Sequence, residues 1–202
     1  MISFIRSKSP MWTNYPLAGE KILVRPPRDE DWSSWAKLRT DSREFLIPWE
    51  PTWSPDSLTR TAYRRRMRRY CNDARDGKGY AFFIFTRKEK SIVGGITLSN
   101  IRVGVALSCA LGYWMGKPYA RKGYMTDAIR TILPFVFDDL KLHRIEAACI
   151  PDNLASKRLL QRCGFTEEGL VRQYLRINGI WHDHLLFSLL DSDERSFTAA
   201  AL

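Results

Sequence analysis

The stretch Tyr113-Trp114-Met115-Gly116-Lys117-Pro118-Tyr119-Ala120-Arg121-Lys122-Gly123-Tyr124-Met125-Thr126 passes from a strand pattern through a basic loop into a helical pattern. Free N–H groups at a helix start, together with the helix dipole, attract anions. Arg121 and Lys122 add positive charge, and Gly123 lets a ligand approach the backbone closely. This chemistry favours a phosphate group, although a solvent-exposed turn would have the same composition. Elsewhere, Arg144 and Glu146 alternate onto one face of an apolar strand and can form an ion pair there. His182-Asp183-His184 sets two imidazoles on one strand face, but no third ligand stands at a usual spacing, so no metal is expected. Cys149 and Cys163 read as small buried hydrophobes.

These groups need a scaffold, and the local signals describe one. Residues 20–27 suggest a first strand stopped by Pro26-Pro27, and Asp29-Glu30-Asp31 opens a helix carrying Trp32, Trp35 and Leu38. A second helix is expected from about Ser54–Asp56, with Asp56 as cap, to about Ala74. Three β-rich runs, 80–87, 91–100 and 103–115, imply an antiparallel meander. A helix over 124–140, a strand over 143–150 and a short helix capped by Asn153 follow. Two last strands, about 166–177 and 180–190, are joined by Asn178-Gly179, a strong hairpin signal.

The chain has 202 residues, of which 45% are hydrophobic and 27% charged, the composition of a folded globular protein rather than a disordered one. One domain over 20–190 is expected, with a partly ordered leader over 1–19 and a polar tail over 191–202. Phe4, Ile5 and Trp12 of the leader are available to dock on the body. The net charge of +10 favours polyanionic ligands. Arg64 to Arg69 form a basic helix face that could hold ribosomal RNA or an acidic substrate, or remain solvated. The uncharged stretch between Arg102 and Lys117 is shorter than the roughly 18 to 20 residues a bilayer span needs. With no secretory cleavage pattern and no C-x-x-C, the chain reads as cytoplasmic with reduced thiols.

The order of these segments resembles the GNAT acetyltransferase superfamily over nearly the whole chain, and within it the ribosomal-protein-alanine N-acetyltransferases of bacteria. The blocks that carry the resemblance are Phe45 to Pro51, Leu98 to Ile101, Leu111 to Gly116, Gly123 to Ala128, His143 to Ala147 and Tyr174 to His184. It implies an α+β fold: a mixed, mostly antiparallel twisted sheet of about seven strands, flanked by helices and splayed where acetyl-CoA binds. It implies that the pantetheine arm pairs with Tyr113, Trp114 and Met115, and that the pyrophosphate rests on the amides of Arg121, Lys122, Gly123, Tyr124, Met125 and Thr126. Asn153 and Ser156 would flank the arm and the sulfur. The family loop has Gln or Arg, then Gly, then Gly or Ala at its defining places; here Ala120, Gly123 and Met125 stand there.

By the same resemblance Glu146 takes the place of a general base. The aromatic acid of some relatives falls at Leu160, which leaves Ser156 to hydrogen-bond the sulfur and Tyr174 in reserve. Glu50, held between Pro48 and Pro51 on the acceptor side, would bind the incoming amine. The activity implied is transfer of acetyl from acetyl-CoA to a protein N-terminus, such as that of a ribosomal protein, without a metal. Two alternatives are a small-molecule amine as acceptor, and a basic ribosome- or RNA-binding module on an inactive scaffold.

Overall fold

A computed structural model describes residues 16–194. The docking expected of Phe4, Ile5 and Trp12 lies outside these residues, as does most of the tail. Alternation along the strands builds two apolar layers. In β2 (Ile22–Arg25), Ile22 and Val24 face one side and Leu23 the other; in β3 (Tyr80–Thr86), Phe82 and Ile84 alternate with Phe83 and Phe85. The strand β3 is buried throughout because helices cover both of its faces. On one face lie α4 (Tyr124–Pro134) and α5 (Leu154–Arg162), contributing Ile129, Ile132, Leu133 and Leu160. On the other lie α1 (Trp32–Asp41) and α3 (Arg60–Arg75), contributing Trp35, Leu38 and Tyr63.

The sheet of the described residues has eight strands rather than about seven, the additional one being the short β1 (Leu17–Ala18) within the expected leader. With β4 (Ile92–Arg102), β5 (Ser108–Met115), β6 (Arg144–Cys149), β7 (Thr166–Ile177) and β8 (Ile180–Leu190), the order is β1-β2-β3-β4-β5-β6-β8-β7. Every neighbouring pair is antiparallel except β5 with β6. That parallel pair is joined only from Ser108↔Arg144 to Ala110↔Glu146. Beyond it each strand keeps its other partner, β5 holding β4 as far as Met115↔Gly94 and β6 holding β8 as far as Cys149↔Leu185. The sheet therefore opens as a wedge, and the β6-facing backbone edge of β5 from Leu111 onward has no strand partner.

Three local readings need correction. The second helix starts at Arg60, and its cap is Thr59, whose hydroxyl accepts from the Ala62 amide at 3.2 Å. Asp56 is instead drawn to Ser54 and Arg65. The helix expected over 124–140 changes at Pro134, which has no N–H to donate, into a π turn over Phe135–Asp139. The third run begins at Ser108, since a turn with Gly104 at φ +73° leaves Val103 and Val105 exposed. A four-residue helix, α2 (Arg43–Leu46), precedes the segment that contains Glu50.

Candidate active site

At the mouth of the wedge, the loop before α4 turns its backbone inward. Arg121 has φ +62° and Gly123 has φ +84°, an alternation that gathers successive amides into an anion-binding concavity. Gly123 is the helix cap, with no side chain bonded over it, and the first-turn amides of a helix have no partner within it. Met125 is buried in the core, so its side chain leaves the loop mouth open. The Nζ of Lys21 stands 3.7 Å from where a Cβ on Gly123 would be. It is held near by the Asp127 carboxylate, which accepts from the amides of Glu20 and Lys21 at 3.2 and 2.7 Å. Nothing in the spacing pointed to Lys21, which the fold brings in from the β1–β2 turn.

Across the wedge, the Tyr113 hydroxyl and Ser156 Oγ share a hydrogen bond of 2.5 Å. Ser156 occupies the first turn of α5, where its amide donates to Asn153 Oδ1 at 3.1 Å. Burial raises the pKa of Tyr113 far above the ordinary phenol value, so the hydroxyl keeps its proton. Burial also raises the Cys149 thiol, and pushes those of Cys109 and Cys163 to about 12 and about 11. These thiols are protonated and inert at neutral pH.

On the opposite face of β5 is a cavity of about 430 Å³, with Arg39, Glu50, Trp53, Arg66, Tyr70, Gly112 and Trp114 in its lining. Trp114 packs over Gly95, where a Cβ would come within 2.5 Å of the indole nitrogen. Gly112 is bare on this side, and a Cβ built on it would meet only the Thr97 carbonyl, at 3.9 Å. Gly112→Val is therefore expected to fold normally but to fill the cavity floor. The expected result is a KM raised about tenfold, roughly 1.4 kcal/mol, for the substrate that this cavity holds, with the KM for the substrate of the wedge unchanged. Steady-state kinetics in both substrates checks this.

A wedge between two parallel strands, an amide-lined anion loop at its mouth and a hydroxyl pair inside it suit an elongated thioester ending in phosphates. Comparison with known proteins agrees. The family model described as "Acetyltransferase (GNAT) domain" matches residues 21–166. The chain belongs to the GNAT acetyltransferase family. It is 34% identical to a probable N-acetyltransferase, YjcK, of Bacillus subtilis over 88% of this chain and 98% of that one. The crystal structure of a ribosomal-protein-S5-alanine acetyltransferase from Vibrio fischeri superposes with TM-score 0.82 at 30% identity, covering 89% of this chain and 98% of the other. Mycobacterium smegmatis RimJ, in complex with CoA-disulfide, superposes with TM-score 0.79 at 32% identity over 84% and 82%.

Within this GNAT scaffold the two expected acidic residues are both engaged. Glu50 lines the cavity, where its oxygens accept from Arg39 at 2.8 and 2.6 Å and from Trp53 Nε1 at 2.8 Å. Glu146 accepts from Arg102 at 2.8 Å and Arg144 at 2.9 Å, the ion-pair alternative. It sits where β5 and β6 are still joined, about three residues, roughly 10 Å, below the level of Tyr113. Tyr174 is on a bulge of β7, edge-on to the His184 ring at 5.8 Å, and does not line the cavity. His184 is buried, with Nδ1 2.9 Å from the His182 carbonyl. Of the basic helix face, Arg64 pairs with Asp29 and Arg65 with Asp56, while Arg66 and Arg69 lie over Trp35 and Tyr70.

The Arg144 network ties β6 to β7. Arg144 also binds Glu168 through its two terminal guanidinium nitrogens, and Ser188 donates to Glu168 at 2.7 Å. The Arg144 hydrogen bonds hold the Glu168 carboxyl down from 4.5 to about 2. A depressed carboxyl contributes stability that is complete above its unfolded value and is lost as pH falls through its folded one. Tm should therefore decline from about pH 4.5 toward pH 2 through this pair, and Arg144→Gln should flatten that limb. Thermal unfolding across this range gives the comparison, and an acid limb identical in both proteins would remove the pair from the account.

Proposed function

We propose that this enzyme transfers the acetyl group of acetyl-CoA, the co-substrate of the GNAT family, to the N-terminal α-amine of a protein. A ribosomal protein is the acceptor class that the Vibrio fischeri relative's name suggests, and such an acceptor implies a cytoplasmic reaction. No helix among the described residues is long and apolar enough to cross a membrane.

The wedge supports the co-substrate half of this reading. The unpaired edge of β5 offers backbone groups to the amides of a pantetheine arm, the loop amides with Arg121, Lys122 and Lys21 offer donors to phosphates, and Tyr113 and Ser156 face the position suited to the sulfur. The amine lone pair attacks the thioester carbonyl carbon, the C–S bond breaks, and the departing sulfur takes a hydrogen bond from the hydroxyl pair. The nitrogen gives its proton to water.

The observation that carries the choice of amine is that Glu50 and Glu146 both have their oxygens in ion pairs. A site whose two candidate carboxylates are held in ion pairs favours an amine that deprotonates unaided. An α-amine, with pKa about 7.7 to 8.0, is roughly one-third neutral at pH 7.5, against about one in a thousand for a lysine near 10.4. Polyamines, which are strongly basic and cationic, fit poorly beside Arg39 and Arg66.

Acetyl-CoA turnover, followed as thiol release, tests the reading with peptides beginning Ala or Ser beside polyamines. The peptides should turn over, with a rate that rises with pH and levels near 8. Turnover of polyamines but not peptides would overturn it.

A further inference from the structure

The cavity beside Trp114 has an unbalanced charge that the transfer reaction does not require. Its lining holds two guanidinium groups, Arg39 and Arg66, and one carboxylate, Glu50. Arg39 and Glu50 neutralise each other in a two-point pair, and the Arg39 plane is packed between Trp53 and Trp114 at 4.2 and 4.9 Å. The Arg39 side chain is only 9% exposed, and its Nε has no hydrogen-bond partner among the described residues. Arg66, by contrast, has no carboxylate partner among the described residues; its guanidinium is steadied over the Trp35 ring at 5.2 Å, half-buried at the cavity wall. Its neighbours Arg64 and Arg65, turned outward, each have an acidic partner. Arg66 is the guanidinium of this run that lines the cavity, and it stands there without an anion among the described residues.

Resting on the reading of the chain as an N-terminal acetyltransferase, we propose that Arg66 receives a carboxylate of the acceptor. The favoured substrates are then N-termini with Asp or Glu at the second or third residue. A cavity of this size holds about two or three extended residues at roughly 3.4 Å each, so a side chain that close to the reacting amine falls within reach of its wall. A partly buried guanidinium without a partner gains more from a carboxylate than a surface one does, and a basic side chain in the same place is repelled.

The test compares three peptides that share an N-terminal Ala and differ only in carrying acidic, neutral or basic residues at positions two and three. For the wild-type enzyme the acidic peptide should have the lowest KM, about tenfold below the basic one, with similar kcat, and the gap should shrink at high salt. Arg66→Gln should erase the preference, Arg66→Glu should invert it and Arg66→Lys should keep part of it, all with an unchanged KM for acetyl-CoA. Equal KM values for the three peptides in the wild type would overturn the proposal without need of any variant. Turnover of peptides without charge preference leaves the N-terminal acetyltransferase reading standing and removes only Arg66; failure of every peptide removes both.

Discussion

Gly123→Asp is expected to raise the KM for acetyl-CoA by about 10²-fold with little change in Tm. The position has φ +84°, a conformation that Asp and Asn adopt more readily than other L-residues, so the fold tolerates the change. The new carboxylate stands at the mouth of the amide concavity, where the phosphates would rest. Two charges about 4 Å apart near a protein surface repel by several kcal/mol before salt screening, and 2.7 kcal/mol already accounts for a hundredfold loss. The carboxylate would also capture Lys21, whose ammonium is placed beside it, and so withdraw a cation from the ligand. Gly123→Asn supplies the control: the same backbone tolerance without the charge, with a KM within about tenfold of wild type. Steady-state kinetics in acetyl-CoA with a saturating peptide, alongside thermal unfolding, separates the cases. If the Asp and Asn variants behave alike, charge at this loop is irrelevant and phosphates do not bind there.

What the sequence made legible was local. Asn153 as a cap and Asn178-Gly179 as a tight turn act on their own neighbours, and the structure has both, the latter with φ +50° and +84°. The shape of the loop from Arg121 into α4 was legible for the same reason, since a turn into a helix is set by consecutive residues. The roles of Glu50 and Glu146 were not, because their partners are set by tertiary packing. Arg39 reaches Glu50 from α1, and Arg102 reaches Glu146 from the far end of β4, 44 residues away. An acidic residue in an apolar strand reads as a base or as half of an ion pair, and its partners become visible only when the opposing strands are aligned. Asp56 shows the same effect on a cap: its carboxylate has a better partner in Arg65, and Thr59 takes the helix end. Lys21 had no signal at all, being polar and exposed in a turn with no motif around it.

Ser156→Ala and Tyr113→Phe are each expected to lower kcat by about 10²-fold, in the range for loss of a positioned proton donor, while the KM for acetyl-CoA changes little. Neither substitution dismantles the scaffold. The bond from Ser156 to Asn153 uses the backbone amide, which Ala retains, and the Tyr113 ring packs on the α4 side of the sheet whether or not it carries a hydroxyl. What is lost is the 2.5 Å link across the wedge. A thiolate leaves far more easily when a hydroxyl donates to it, and the raised pKa of Tyr113 keeps that proton available at every physiological pH. Since the two hydroxyls act in series, the double variant should cost little more than either single one, a non-additivity that independent structural roles would not give. The defect should also shrink when the acetyl donor is a thioester of a more acidic thiol, which needs less help in departing. A loss of kcat that stayed constant across donors would show that the hydroxyl pair shapes the wedge instead of stabilising the leaving sulfur.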